Sequence, residues 1–523
     1  MSTLENFKTL ITEGYNFKGD SIILGTAIFE KEAQPGLQIK IPLNTINRHG
    51  LIAGATGTGK TKTVQVFAES LSDKSIPVLL MDIKGDLSGI AAEGTSNPKI
   101  EERHAKIGVP YQPKKFPVEF FTLSDEKGTR LRATVSEFGP VLVSKILELN
   151  DTQSGLVAIL FKYCDDNNLP LLDIKDFKKV LQFATEEGKK EIEKDYGAIS
   201  ATSIGTILRK VVELEQQGAE KFFGEKSFDV EDLLKVDGNG NGIISVIRLI
   251  DLQDRPKLFS TFMLSLLAEI YSTFPELGDK AEPKLVIVID EAHLIFKEAS
   301  KALLDQIETI IKLIRSKGVG IYFCTQNPTD VPQAVLSQLG LKIQHALRAF
   351  TAQDRKMIKL TAENYPISEF YQTDELLTSM GIGEAAVSAL NEKGIPTPLA
   401  ATLLCAPKSR MDVLSPAELD DKIKNSLLGT KYNEDVDRES AYEILTNKLD
   451  KARDFDLKLP KETTTQHQPD YNPLPKTTSR APKQEKSTIE KVINSPLSKQ
   501  VGRTLVREIT RGLLGVLGVG GRR

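Results

Sequence analysis

GLIAGATGTGKTKTVQVF, residues 50–67, is the stretch on which the fold turns. The apolar run GLIA predicts a short buried strand. The segment from Gly54 to Thr61 then fits G-x-x-x-x-G-K-T, and the residues after it open a helix. A strand, a glycine loop and a helix in succession are the setting in which this motif grips phosphate. Glycines let successive backbone N–H groups turn inward around phosphate oxygens. The helix N-terminus adds a favourable dipole. The candidate binding residues are Gly54, Ala55, Thr56, Gly57, Thr58, Gly59, Lys60, Thr61 and Lys62. In this chemistry Lys60 reaches the β- and γ-phosphates of ATP, and the Thr61 hydroxyl is a ligand for Mg²⁺.

Working outward, LVIVIDEAHLIF (285–296) carries Asp290 and Glu291 to the end of an apolar run. Asp290 is the second candidate Mg²⁺ residue, acting through water. Glu291, one residue on, is placed to orient or deprotonate an attacking water. The literal DEAH tetrapeptide invites a helicase-box reading. It arises, however, wherever a hydrolytic Asp-Glu pair precedes Ala-His, and His293 reads as packed or solvent-facing. YFCTQNP (322–328) ends another apolar run at Thr325 and Gln326, and Gln326 is a candidate to sense the γ-phosphate or the water. MDIKGDLSG (81–89) ends its strand at Asp82, with Asp86 four residues on; these line the same crevice or cap a turn.

Unbroken apolar runs of this length suit central strands of a parallel sheet covered on both faces. The expected class is therefore α/β, with a mainly parallel sheet. Residues 1–45 read as a β-rich segment. A core follows over 46–410, with an all-α insertion at about 138–235, where apolar residues recur at three- and four-residue spacing. GIGEAAVSALNEKGIPTPLAATLLCAP (381–407) reads as a β-hairpin. A helical extension is expected over 411–455. Residues 456–490, rich in Pro, Thr, Gln and Lys, read as a disordered linker. Residues 491–523 read as a basic amphipathic helix, with Arg503, Arg507 and Arg511 on one stripe. DGNGNG (237–242) begins like a calcium loop, but Arg248 stands where a bidentate Glu is needed, so a turn is expected.

Lys plus Arg total 68 and Asp plus Glu 71, a formal net charge of -3. That balance argues against a protein that simply coats nucleic acid, but it leaves room for a local basic channel. The stretch KIEERHAKIGVPYQPKK (99–115) is a candidate pore loop, with Tyr111 for stacking, or a solvated basic loop. Three widely separated cysteines, Cys164, Cys324 and Cys405, fit no metal or redox spacing and suit the cytoplasm. The N-terminus does not fit a signal peptide, and no window is long and apolar enough for an integral membrane segment.

GATGTGKT, DIKGDLSG, VIDEAHLIF and TQNP together resemble the HerA/FtsK class of P-loop motor ATPases. FGPVLVSKILELNDTQSG, YGAISATSIGTILRKVVELEQQGAEKFFGE, QHALRAFTAQD and GIGEAAVSALNEKGIPTP are similar to a bacterial HerA-helicase-like family. The resemblance implies a RecA-like P-loop NTPase core and assembly into a homo-hexameric ring, each site completed by a neighbour's arginine. Arg348, at the end of LKIQHALRAF (341–350), is the candidate finger, with Arg355 and Arg315 as rivals. Such a finger contributes roughly 10³–10⁵ in rate. Archaeal members of the class begin with a small β-barrel, for which residues 1–45 are too few. Two functions stay open at this point: a ring ATPase that moves or remodels DNA, and an ATP-driven remodeller of protein that ignores nucleic acid. The C-terminal helix is a candidate contact for a protein partner.

Overall fold

The structure, a computed structural model, describes residues 2–458 apart from 254, 279–281 and 298–300. Twelve strands are seen among them: β1 Ser21–Phe29, β2 Glu32–Pro42, β3 Gly50–Ala53, β4 Val78–Asp82, β5 Val118–Thr122, β6 Thr129–Arg130, β7 Ile244–Arg248, β8 Leu285–Ile289, β9 Val319–Thr325, β10 Leu341–His345, β11 Glu384–Ser388 and β12 Ala400–Leu404. They form one sheet in the order β2-β1-β12-β11-β10-β3-β9-β8-β4-β7-β5-β6. From β10 to β6 every pairing is parallel. From β10 to β2 every pairing is antiparallel.

The central strands are apolar without interruption because both faces are covered. Leu79, Met81, Ile287, Ile289, Ile321 and Phe323 point into one core, shared with the helices of the 135–222 region and with the helix Pro256–Thr273. Their neighbours Val78, Leu80, Val286, Val288, Tyr322 and Cys324 point into the other, shared with the helix Lys60–Ser72 and the N-terminal segment. This is the α/β, RecA-like arrangement, with β9 between the strand that feeds the phosphate loop and the strand that ends in two acids.

Between β6 and β7 the chain is helical, from Val135–Ile146 to Ala219–Phe222. The helix Ala441–Lys458 docks on this layer: Asp176 accepts from the Tyr442 N–H at 2.8 Å, and Pro170 O accepts from Ala441 N–H at 3.0 Å. The helix also carries the extension past the expected end at 455. The rest of the linker read at 456–490, and the basic helix read at 491–523, lie outside the described residues.

Three stretches differ from the sequence reading. Residues 1–45 hold β1 and β2, in keeping with a β-rich segment, but they begin with a helix that was not expected, Thr3–Gly14, started by a capping box between Ser2 and Glu5. Its Phe7 and Ile11 are buried against β1 and β2, and those strands continue the core sheet through β12. Residues 98–107 are a helix rather than a loop, capped by Asn97 and closed by Gly108. Arg103 of that helix donates to the carbonyls of Ile382, Gly383 and Leu404, and Tyr111 donates to Pro407 O at 3.0 Å. This basic stretch is thus fastened onto the β11–β12 hairpin. Strands β5 and β6 extend the parallel sheet where no strand was expected.

The DGNGNG segment is a turn. The Asp237 carboxylate accepts from the N–H groups of Asn239 and Asn241. Arg248 pairs with Glu126. No helix among the described residues is long and apolar enough to cross a membrane.

Candidate active site

The parallel strands bring Ala53, Thr325, Ile289 and Asp82 to the same sheet edge, where ligands bind in open α/β sheets. The loop after β3 is fastened at both flanks. Gly54 N–H donates to Thr325 O at 3.3 Å, and Ala55 N–H to Ala346 O at 2.9 Å. Gly54 has φ +149, and a Cβ there would stand 2.5 Å from His345 Cβ, so conformation and packing both demand glycine. Gly59, at φ +109, caps the helix that starts at Lys60. The N–H groups of that first turn have no intrahelical partner and face the loop. Thr56 and Gly57 form the exposed crest.

Lys60 is buried, and its ammonium donates to Gly54 O at 2.6 Å and Ala55 O at 3.2 Å. Burial lowers its pKa, with Cys324 and the acids Glu291 and Asp290 opposing and Lys84 adding to the effect. It thus waits inside the loop as an ammonium poorly solvated by water. The Thr61 hydroxyl donates to Asp86 Oδ2 at 3.0 Å. Thr58 Oγ1 donates to Ala55 O at 2.7 Å, which fixes the turn from within. The Lys62 ammonium is held by Met411 O instead of reaching into the loop, so only its backbone remains available there.

Asp290 and Glu291 are 7% and 5% exposed. Burial raises the pKa of Asp290, with Lys84 opposing and Glu291 reinforcing the shift. Glu291 sits at φ +46, a left-handed conformation that is uncommon outside glycine and clusters at functional sites. The Lys84 ammonium forms an ion pair with Glu291 Oε1. His293 Nδ1 stands 3.1 Å from Glu291 Oε2, so this imidazole faces the acid.

Both readings of the MDIKGDLSG stretch hold, one for each acid. Asp82 caps the turn, its carboxylate accepting from the N–H groups of Gly85, Asp86 and Leu87. Burial holds its pKa up at about 7, aided by the charges of Asp86 and Asp290. Asp86 faces the phosphate loop. Lys84 between them was missed by sequence reasoning.

Gln326 is exposed just past the end of β9, beside Thr325, whose hydroxyl donates to Asp330 at 2.8 Å. Arg348 is exposed three residues past β10, with Nη1 3.4 Å from Thr378 O. Arg355 is exposed on the following helix, Ala352–Ala362. Arg315 precedes β9 and therefore lies at the opposite edge of the parallel strands from the phosphate loop.

These residues fit a Mg²⁺–triphosphate unit. Among the described residues no cluster of His, Cys, Asp and Glu could enclose a metal alone. Mg²⁺ prefers one or two protein oxygens plus phosphates and water, and the Thr61 hydroxyl and the buried Asp290 are of that type. Asp86 Oδ1, buried without a hydrogen-bond partner, adds an unmet acceptor beside Thr61.

The model of the helicase HerA-like C-terminal family matches residues 28–523. The DNA double-strand break repair helicase HerA of Sulfurisphaera tokodaii is 25% identical over 74% of this chain and 69% of its own. The protein of the same name from Sulfolobus acidocaldarius is 23% identical over 67% of this chain and 64% of its own. Among solved structures, the bacterial conjugative coupling protein TrwB shares the fold at 13% identity, with a TM-score of 0.50 over 77% of this chain and 93% of that one. The chain belongs to the helicase HerA-like C-terminal family, and its core is that of a P-loop ATPase of the HerA/FtsK class.

Proposed function

We propose that the chain hydrolyses ATP with Mg²⁺ as cofactor and works as a hexameric ring motor that translocates along DNA or remodels it. The observation that carries this reading is the buried pair Asp290 and Glu291, one strand away from the strand that feeds the Lys60 loop. Backbone N–H groups from Gly54 to Lys62 cradle the phosphates, and Lys60 leaves its carbonyl partners for the β- and γ-phosphates. Thr61 and Asp290 would hold the metal, which when bound would neutralise phosphate charge. Water attacks the γ-phosphorus and the bond to the β–γ bridging oxygen breaks. The water proton passes to Glu291, leaving ADP and phosphate. Gln326 hydrogen-bonds the γ-phosphate or the water, and Arg348 of a neighbouring copy meets the charge that develops.

Support for DNA as the substrate comes from the relatives, which are described as DNA repair helicases. Residence in the cytoplasm and docking of residues 491–523 on a partner protein belong to the same proposal. Protein remodelling without nucleic acid is the second reading. It is favoured by the basic stretch 99–115, where Arg103, Lys106 and Lys114 are all engaged within the chain. ATPase activity measured with and without single- and double-stranded DNA across a salt series separates the two. A DNA motor shows stimulation and an affinity that falls steeply with salt. Turnover indifferent to DNA favours the remodeller, and absence of turnover removes both.

A further inference from the structure

Lys84 occupies a place that the ATPase reading leaves unexplained, and the inference drawn from it rests on that reading. Its backbone is held, because the Asp82 carboxylate takes the three N–H groups that follow, those of Gly85, Asp86 and Leu87. Strand β4 lies beside β8, with Met81 opposite Ile289. A side chain leaving the end of β4 therefore crosses a single inter-strand spacing to reach the acids beyond β8. The Lys84 ammonium spans that gap and closes on Glu291 Oε1, while His293 stands at Oε2.

This pairing has a chemical consequence. A carboxylate accepts a proton from water only through a free lone pair facing that water. The contact is an ion pair that meets hydrogen-bond geometry at neither Glu291 oxygen, and the Lys84 ammonium set against Oε1 takes the space that a water approaching this oxygen needs. The clamp is also able to move. The Lys84 side chain is 37% exposed and flexible along its stem, whereas Glu291 is buried in a strained backbone. Burial pulls the Lys84 pKa down, but the bond to Glu291 and the charge of Asp290 outweigh it, so the group stays a cation. Lys60 already answers to the β- and γ-phosphates from the other flank, and its ammonium and that of Lys84 influence each other across the site. A triphosphate entering between them brings an anion of higher charge than one carboxylate, with oxygens suited to charge-assisted hydrogen bonds.

We propose that Lys84 exchanges partners: it clamps Glu291 in the absence of triphosphate and transfers to the γ-phosphoryl oxygens when ATP binds, freeing Glu291 to take the water's proton. ADP has no γ-phosphoryl group and leaves the clamp closed. Lys84 is then a triphosphate ligand and a latch on the base in one, and the enzyme arms its base only when there is a bond to cleave.

The test is a binding cycle on the full chain, using ADP and a β,γ-imido ATP analogue with Mg²⁺. The variants are wild type, Lys84→Met, Lys84→Arg, Glu291→Gln and the Lys84→Met/Glu291→Gln double. Lys84→Met should weaken the analogue roughly tenfold while ADP stays within about twofold, and Lys84→Arg should restore most of the loss. Glu291→Gln should tighten the analogue several-fold, because Lys84 no longer has to leave a carboxylate. That gain should vanish in the double variant, a coupling between neighbours that independent residues do not show. Equal effects on ADP and analogue, or a Glu291→Gln gain that survives without Lys84, overturn the exchange. A wild-type chain that binds neither nucleotide overturns the ATPase reading itself. One that binds both, with Lys84 indifferent, overturns the latch alone.

Discussion

Thr61 Oγ1 donates its hydrogen bond to Asp86 Oδ2 at 3.0 Å, tying the first turn of the Lys60–Ser72 helix to the turn after β4. A hydroxyl has one proton and two lone pairs. With the proton committed to Asp86, the lone pairs are left for a cation. Partners of this kind orient metal ligands, and their loss typically costs 10–100-fold in metal affinity. Asp86→Ala is expected to raise the Mg²⁺ concentration for half-maximal ATP hydrolysis by about tenfold. Nucleotide binding measured without metal should change little. A Mg²⁺ titration of turnover checks this, and an unshifted midpoint removes Asp86 from the metal's surroundings.

Glu291 is the one acid of the site already facing two cationic or proton-bearing side chains, Lys84 and His293. Glu291→Gln keeps the shape and removes the base. Turnover should fall by roughly 10²–10⁴-fold, the span of general-base contributions, while ATP binding persists. Single-turnover hydrolysis alongside equilibrium binding reads both. Normal hydrolysis in this variant takes Glu291 out of the chemistry.

The phosphate loop and the acidic pair were legible because each is written locally. A glycine run at a strand-to-helix junction dictates its own backbone, and an apolar run delivers whatever follows it to a sheet edge. Lys84 was not legible, because its meaning depends on β4 lying beside β8, and nothing in MDIKGD states which strand neighbours which. The N-terminal helix carried a local signal that was passed over, the Ser2 to Glu5 capping box. Strand β5 carried another, the aromatic, β-prone VEFFT. The basic stretch 99–115, left open between a pore loop and a solvated loop, hid its helix for a similar reason to Lys84: its anchoring depends on a distant hairpin. Its charges suggested an outside partner, whereas the Arg103 guanidinium is taken up by three carbonyls of its own chain.

His49 supplies a pH prediction away from the chemistry. Its Nδ1 accepts from the Ile321 N–H at 3.0 Å, so Nε2 carries the proton and donates to Ile311 O at 2.9 Å. Burial, reinforced by the charge of Arg315, pulls its pKa down to about 4. An unfolded histidine titrates near 6.5, so in acid the unfolded chain binds the extra proton. The stability from a neutral His49 is therefore complete above pH 6.5 and is lost as pH falls towards 4, by about 2 kcal/mol at pH 5. His49→Asn retains an acceptor for Ile321 without titrating. Denaturant unfolding at pH 7 and pH 5 should show a smaller loss in the variant, and equal losses would exclude His49 as a source of the acid sensitivity.

Arg348 lies two residues beyond Ala346, whose carbonyl receives the N–H of Ala55 in the phosphate loop. The arginine thus leaves the sheet at the nucleotide edge, yet it is exposed, and the hydrogen bond it makes, to Thr378 O, is long at 3.4 Å. An arginine built to serve its own site would be expected to turn inward, as Arg103 does towards its carbonyls. An outward guanidinium at this edge suits a site on the next copy. Arg348→Ala subunits keep a sound Glu291 and lack the finger, whereas Glu291→Gln subunits keep the finger and lack the base. Each preparation alone should be inactive. Mixed, they should regain part of the wild-type rate, rising to a maximum at intermediate ratios, because some interfaces then pair an intact base with a neighbour's intact arginine. If Arg348 served only its own subunit, no interface would be complete and no ratio would restore turnover. The same mixing with Arg355→Ala in place of Arg348→Ala identifies which of the two exposed arginines crosses the boundary.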